Sequence, residues 1–158
     1  MPQIYSTTGY SVSINFSLTN PEHIICISGN RVQQWNINGN QTGPTYTASH
    51  TAFSSDHTHF ALCNGSIVTV WDSNSGALGA EVNVTQSKHC CFSPDGRLVA
   101  VSCGPIAYVW NIANSVPHLV SRFTGHTDAI TSLIFSSPPP SYQHLMTDQS
   151  SSGKLMLH

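Results

Sequence analysis

The chain predicts an all-β protein assembled from a repeated four-stranded unit, and three observations carry that reading. V-Q-Q-W-N-I at 32–37, V-T-V-W-D-S at 68–73 and A-Y-V-W-N-I at 107–112 are near copies, with Trp35, Trp71 and Trp110 spaced by 36 and 39 residues. Phe16, Phe53, Phe92 and Phe135 each sit in a short apolar run followed by Ser, at spacings of 37, 39 and 43. No window carries a long apolar pattern of period 3.6, so no helix is predicted. Two landmarks in register at about 40 residues mean stacked copies of one supersecondary unit.

The third copy shows the plan best. Ser87 to Ser93 is a short apolar strand that ends at the turn residues Pro94-Asp95-Gly96. Arg97 to Ser102 is compact and β-branched, and Gly104-Pro105 breaks it. Ile106 to Ile112 carries the Trp, and after Asn114-Ser115 a fourth extended run spans Pro117 to Phe123. The second copy repeats this with Ser49–Ser54, Thr58–Cys63, Ile67–Trp71 and Leu78–Val84. The first is looser: Val12–Leu18, His23–Ser28, Arg31–Ile37 and Thr45–Ala48. The 158 residues read as one domain with units at 9–48, 49–86, 87–125 and 126–158.

These residues resemble the WD-repeat family of β-propellers. The family's Gly-His pair is matched by Gly125-His126, its Phe-Ser-Pro-Asp-Gly strand end by Phe92-Ser93-Pro94-Asp95-Gly96, and its Trp-Asp pair by Trp71-Asp72. The resemblance implies blades of four antiparallel strands. It also implies a structural repeat motif at Phe16, Trp35, Phe53, Trp71, Asp72, Phe92, Asp95, Gly96, Trp110, Gly125, His126 and Phe135. Two units depart from it with Trp35-Asn36 and Trp110-Asn111, and only one has Gly-His. In the family that His joins a hydrogen-bonded set with a strand Ser/Thr, a turn Asp and the Trp indole. The unit that His126 opens has no Trp, so a complete set is not expected from this chain.

A four-stranded blade has two apolar faces and buries them against its neighbours. The Phe and Trp residues are therefore expected at blade-to-blade contacts rather than at a ligand. Propellers hold about 4–8 blades of roughly 40–45 residues. The length corresponds to three and a half to four blades, either a minimal four-bladed ring or an open piece of a larger one. The resemblance, to a family whose rings are mostly larger, favours the open piece, whose unclosed edges favour association with a partner or with a second copy.

Composition narrows the function. Charged residues are 8% of the chain and the net charge is −2. Five Lys plus Arg make no basic patch, which argues against nucleic-acid binding through phosphates. The N-terminus, Met1-Pro2-Gln3-Ile4-Tyr5, has no basic n-region or apolar h-region, and no apolar run approaches the about 18 residues of a membrane span. Five cysteines (26, 63, 90, 91, 103) fall in or beside predicted strands without zinc-site spacing. They read as buried reduced thiols of a cytoplasmic protein.

No catalytic, cofactor-binding or metal site is expected. No Gly-x-Ser-x-Gly elbow, phosphate-cradling glycine loop, HExxH pair or EF-hand loop is present, so the chain does not read as an enzyme. His50 and His89 lie three residues before their unit's Phe, on the inner strands of adjacent units. Two imidazoles so placed could hold a metal; Ser13 and Ser132 stand at the corresponding positions of the other units, and packed histidines are the expected reading. Ser136-Ser137-Pro138-Pro139-Pro140-Ser141 reads as a loop rather than a polyproline II ligand.

The tail departs from the pattern after Phe135-Ser136. Read one nucleotide back over 141–158, with permitted synonymous codons, it spells F-L-S-A-S-H-D-R-S-V-K-F-W-Q-I-D, a strong continuation of the repeat. A frameshifted blade is thus one expectation. A divergent tail with weak strands at Leu145–Thr147 and Lys154–Leu157 is the other.

G-H-T-D-A-I-T-S-L-I-F-S and F-S-P-D-G-R-L-V-A-V-S resemble fungal WD-repeat proteins, where such propellers form the sensor half of NACHT-type signalling proteins. The resemblance implies a non-catalytic module that recognises protein partners through surface loops, with no cofactor, nucleic acid or membrane. The alternatives are a truncated or frameshifted propeller fragment without independent function, and a small-molecule or glycan-binding propeller using turn residues such as Asn30, Asn64 and Ser66.

Overall fold

The computed structural model describes the backbone of residues 12–16, 22–114, 116–136, 148–149 and 154–157, and side chains over 22–114 and 116–136. Every described element is a strand. The first unit is an antiparallel meander in chain order: β1 (Val12–Phe16), β2 (His23–Ser28), β3 (Arg31–Asn36) and β4 (Tyr46–Thr47). The second continues with β5 (His50–Phe53), β6 (His59–Cys63), β7 (Gly65–Asp72) and the opening half of β8 (Leu78–Phe92). The third takes the closing half of β8, then β9 (Leu98–Cys103), β10 (Ile106–Asn111) and β11 (His118–Phe123).

The turns explain the strand lengths. The second and third strands of each unit are joined at a glycine in the left-handed region: Gly29, Gly65 and Gly104, with φ of 60°, 64° and 59°. L-residues avoid that conformation, and glycine adopts it without a Cβ clash.

One boundary differs from the sequence reading. Leu78–Val84 and Ser87–Ser93 were expected as two strands, and they form one strand of 15 residues, β8. Val84-Thr85-Gln86-Ser87 contains no Gly or Pro to stop the ladder. The chain bends instead at Gln86, whose φ is 58°. Ser87 is then paired with Gly65 on one side and with Cys103 on the other, which joins two units into one seven-stranded sheet.

The fourth unit also departs from the meander. β12 (Ser132–Phe135) pairs in parallel with β14 (Lys154–Leu157), and β13 (Asp148–Gln149) lies on the far side of β14. A parallel neighbour needs a crossover of a dozen or more residues, and the stretch from 136 to 153 supplies that length. The strand expected at Lys154–Leu157 is present, while that at 145–147 and the proline loop from 137 lie outside the described residues.

Three apolar clusters sit between successive units. Ile25, Val32 and Ala48 of the first unit meet Phe60 and Leu62 of the second, with Tyr46, Phe53 and Trp71 packed around them. Ala61, Cys63, Val68, Val70, Ala80 and Val82 of the second meet Phe92, Val99 and Val101 of the third, with Trp110 alongside. Ala100, Ala107 and Val109 of the third meet Ile130, with Leu133 and Phe135 packed against them. Strand alternation produces this: Phe60 and Leu62 point one way, Ala61 and Cys63 the other. Unit two thus presents Phe53, Phe60 and Trp71 to the preceding unit, and unit three presents Phe92 and Trp110. The faces toward the following unit are built mainly of Ala, Val and Cys, with Leu98 and Phe123 added in unit three. Large side chains against small ones let such faces interdigitate.

Candidate functional site

The repeat-motif residues occupy matching places. Trp35, Trp71 and Trp110 are each the penultimate residue of their strand, paired across the ladder with Ile24, Phe60 and Val99. Trp71 lies 4.7 Å from Tyr46 of the first unit, ring to ring. Phe53 and Phe60 are 6.3 Å apart within the same cluster. Phe92 is buried, and Phe53 and Phe135 are partly so. Of Phe16 the backbone is described, with Ile24 as its ladder partner.

The turns after the first strands are built alike. Ser54 Oγ donates to Asp56 Oδ1 at 2.7 Å, and Ser93 Oγ donates to Asp95 Oδ1 at 2.6 Å. Each carboxylate also accepts a backbone N–H, Thr58 at 3.1 Å and Arg97 at 3.1 Å. Each serine oxygen in turn accepts the N–H that opens the next strand, His59 at 3.0 Å and Leu98 at 2.9 Å. The Ser54 hydroxyl, with the Thr58 N–H and hydroxyl, holds Asp56 at about 2. Asp95 is likewise lowered, by the Ser93 hydroxyl first and the Arg97 N–H second. Donors aimed at a carboxylate favour its charged form. These aspartates pin turns; Asp56 and Asp95 both sit at the surface.

The Trp-Asn pairs work as Trp-Asp does. Asp72 Oδ1 accepts from the N–H groups of Asn74 at 3.0 Å and Ser75 at 2.7 Å, and from Ser75 Oγ at 2.8 Å. The Ser75 N–H contributes most to the lowered pKa of Asp72. Asn36 Oδ1 accepts the Asn40 N–H at 2.8 Å, and Asn111 Oδ1 accepts the Ala113 N–H at 3.0 Å. What the position requires is an acceptor oxygen on a short side chain, which either residue supplies.

The indoles differ. Trp71 Nε1 donates to Thr69 Oγ1 at 2.9 Å, two residues back on the same face. The corresponding residue before Trp110 is Tyr108, and Trp110 Nε1 is buried without a partner among the described residues. His126 Nε2 is also buried and unpaired among the described residues, which do not assemble around it the four-member set implied by the resemblance. Gly125 before it has a φ of 142°. Sequence reasoning marked the Ser after each Phe as part of the repeat, without its role in the turn, and did not single out Thr69 or His57. The constant offset of 39 residues between the second and third units repeats Ser54 as Ser93, whereas it carries Thr69 to Tyr108 and His57 to Gly96.

Two groups of titratable residues lie at the seam between units two and three. Cys63 and Cys90 share a hydrogen bond, and that contact together with burial raises Cys90. Burial pushes Cys91 up to about 12 and raises Cys103 and Cys26. All five cysteines are free thiols. Cys26, Cys90, Cys91 and Cys103, with their pKa values raised, are weak nucleophiles. His50 and His89 face each other edge to face, ring centroids 5.1 Å apart. Burial lowers His50 most and the neighbouring His89 adds to this, opposed by a hydrogen bond to the Cys90 backbone. Among the described residues no three His, Cys, Asp or Glu side chains form a metal-ligating group. No helix among them is long and apolar enough to cross a membrane.

No family model matches the chain. A stretch of 49 residues, 30% of the chain, is 39% identical to "WD repeat-containing protein 37" of Homo sapiens, Mus musculus and Xenopus tropicalis. The match spans about a tenth of the length of those curated relatives. The short match and the repeated antiparallel sheets fit a WD-repeat protein.

Proposed function

We infer that this chain is a WD-repeat propeller segment serving as a non-catalytic module for binding protein partners. The observation that supports this is the stack itself. Successive sheets pack large side chains on small ones, and the turns at Asp56, Asp72 and Asp95 are pinned by a short side-chain acceptor. Such a scaffold holds surface loops in fixed relative positions, which is what recognition by loops requires. Because strands run alternately, the turns gather at two ends. One end carries Ser55-Asp56 and Pro94-Asp95 with the loops after Asp72 and Asn111; the other carries Gly29-Asn30, Asn64-Gly65-Ser66 and Gly104-Pro105.

The low charge favours a partner recognised by hydrogen bonds and apolar contact rather than by ion pairs. A sensor role belongs to the same reading and rests on the sequence resemblance, a cytoplasmic setting rests on five cysteines read as reduced thiols, and self-association rests on the unclosed edges expected from the length. The test is capture of a partner on the immobilised chain, repeated with N30A, N64A and S66A and with S55A, S75A and N111A. Loss of one partner with one set alone identifies the binding end. A saturable thermal shift with a sugar or nucleotide, and no captured protein, rejects the reading in favour of a small-molecule site.

A further inference from the structure

The seam between the second and third units holds a feature that the recognition role does not use. His50 opens β5 and His89 lies in the closing half of β8, at corresponding places 39 residues apart. Their imidazoles are in direct contact, with centroids 5.1 Å apart and planes at 73°. Both are half-buried, so the pair is sheltered yet reachable from solvent. The elements beneath it are rigid: β5 pairs with β6 along its length, and β8 is clamped between β7 and β9.

We propose that His50 and His89 form a two-imidazole site for a divalent transition-metal ion, bridging two adjacent units. Three points support it. Zinc–nitrogen bonds are about 2.0–2.1 Å and a ring centroid lies about 1.1 Å behind its nitrogen, so two imidazoles on one tetrahedral ion have centroids about 5 Å apart. The observed spacing matches that distance. The terminal torsion of histidine is broad, so the His89 ring is free to turn about Cβ–Cγ toward an ion shared with His50 while His50 keeps its own orientation.

The second point is the Cys90 backbone, with which the His50 ring is hydrogen-bonded. When one ring nitrogen donates to a carbonyl, the tautomer is set and the other nitrogen keeps its lone pair, as in established histidine–metal sites. The third is ligand chemistry. Neutral imidazole suits zinc, copper and nickel and not magnesium or calcium. No third His, Cys, Asp or Glu among the described residues completes the set, so water fills the remaining positions. The site is therefore an open one that would tie the inner strands of two units together when occupied.

The test uses the EDTA-treated chain in a thermal melt with zinc chloride, and with magnesium chloride as control. Binding to the folded state alone raises the melting temperature, by about 5 °C at saturating zinc. The substitutions His50→Ser and His89→Ser place in these units the residue found at the corresponding position 132, so they suit the fold. Each is expected to remove more than half of the zinc shift, and magnesium is expected to give none. An equal zinc shift in wild type and both variants assigns the ion to other histidines of the nine and overturns the proposal, as does no shift with zinc. Should a variant not fold, imidazole nitrogen resonances of the unaltered chain decide the matter. Two rings perturbed together at one equivalent of zinc, one of them next to Cys90, support the site; one ring alone, or rings other than these, overturn it.

Discussion

His57 and Gly96 hold the same backbone conformation at corresponding turns of successive units, with φ of 56° and 70°. Each N–H donates three residues back, His57 to the Ser54 carbonyl and Gly96 to the Ser93 carbonyl, both at 2.9 Å. A Cβ at Gly96 would meet nothing nearer than the Ser54 Cβ at 4.0 Å. The cost of a side chain there is therefore conformational and not steric packing. Gly96→Ala should lower stability by about 1 kcal/mol. His57→Ala should stay within about 0.5 kcal/mol, because His57 already bears that strain. Denaturant midpoints of the two variants give the comparison; equal losses would mean that the turn is held by contacts beyond its backbone.

The Trp71–Thr69 bond predicts an asymmetry between units. Thr69→Val keeps the shape and removes the acceptor of the Trp71 N–H. It should cost about 1–2 kcal/mol, the desolvation of an orphaned donor. Proton exchange at the Trp71 indole should speed up while that at Trp110, already unpaired, stays unchanged. An unaltered Trp71 exchange rate would show that Thr69 does not protect it.

Packing sets the largest effects. Phe60 is fully buried at the seam of units one and two. Phe60→Ala should cost about 3–5 kcal/mol from lost transfer energy and the cavity left behind. Leu119, on the outer strand of unit three, is 46% exposed, and Leu119→Ala should change stability by less than about 0.5 kcal/mol. Calorimetric unfolding separates the two; similar losses would contradict the face assignment.

Acid should loosen the turns in a defined window. Asp56 is held at about 2, and Asp72 and Asp95 are also below the ordinary value of 3.8. A carboxylate lowered in the folded state stabilises it above the unfolded pKa, and that contribution is lost as pH falls through the folded pKa. The contribution of these three carboxylates should thus hold steady down to about pH 4 and decline from there toward pH 2, while the lowered His50 separately weakens the fold as pH falls below the ordinary histidine value of 6.5. Asp56→Asn should be less stable than wild type at pH 7, with the gap closing by pH 2. A constant gap across that range would mean that the Asp56 charge contributes nothing.

The strand pattern was legible in the residues because turn chemistry is local. β2 spans His23–Ser28 in both the sequence reading and the structure, since Gly29-Asn30 ends it on one side. The two-strand reading of 78–93 failed for the complementary reason. Gln86 is not a turn residue by type, and its positive φ follows from the pairing of Ser87 with both neighbours. The Trp-Asn departures looked like losses of the motif and prove to be equivalents, because the geometry asks for an oxygen and not a charge.

Trp35, Trp71 and Trp110 recur by sequence alone, and periodic composition is enough to show that copies of one β unit stack, because a single sheet cannot bury both of its faces. Which face meets which neighbour was decided by tertiary structure. Only there do Phe60 and Trp71 turn toward the first unit and Ala61 and Val70 toward the third. Only there do His50 and His89, far apart in the chain, come into contact. Alternation places side chains on two sides of a strand, while the sense of docking depends on which pair of surfaces interlocks with the fewest voids.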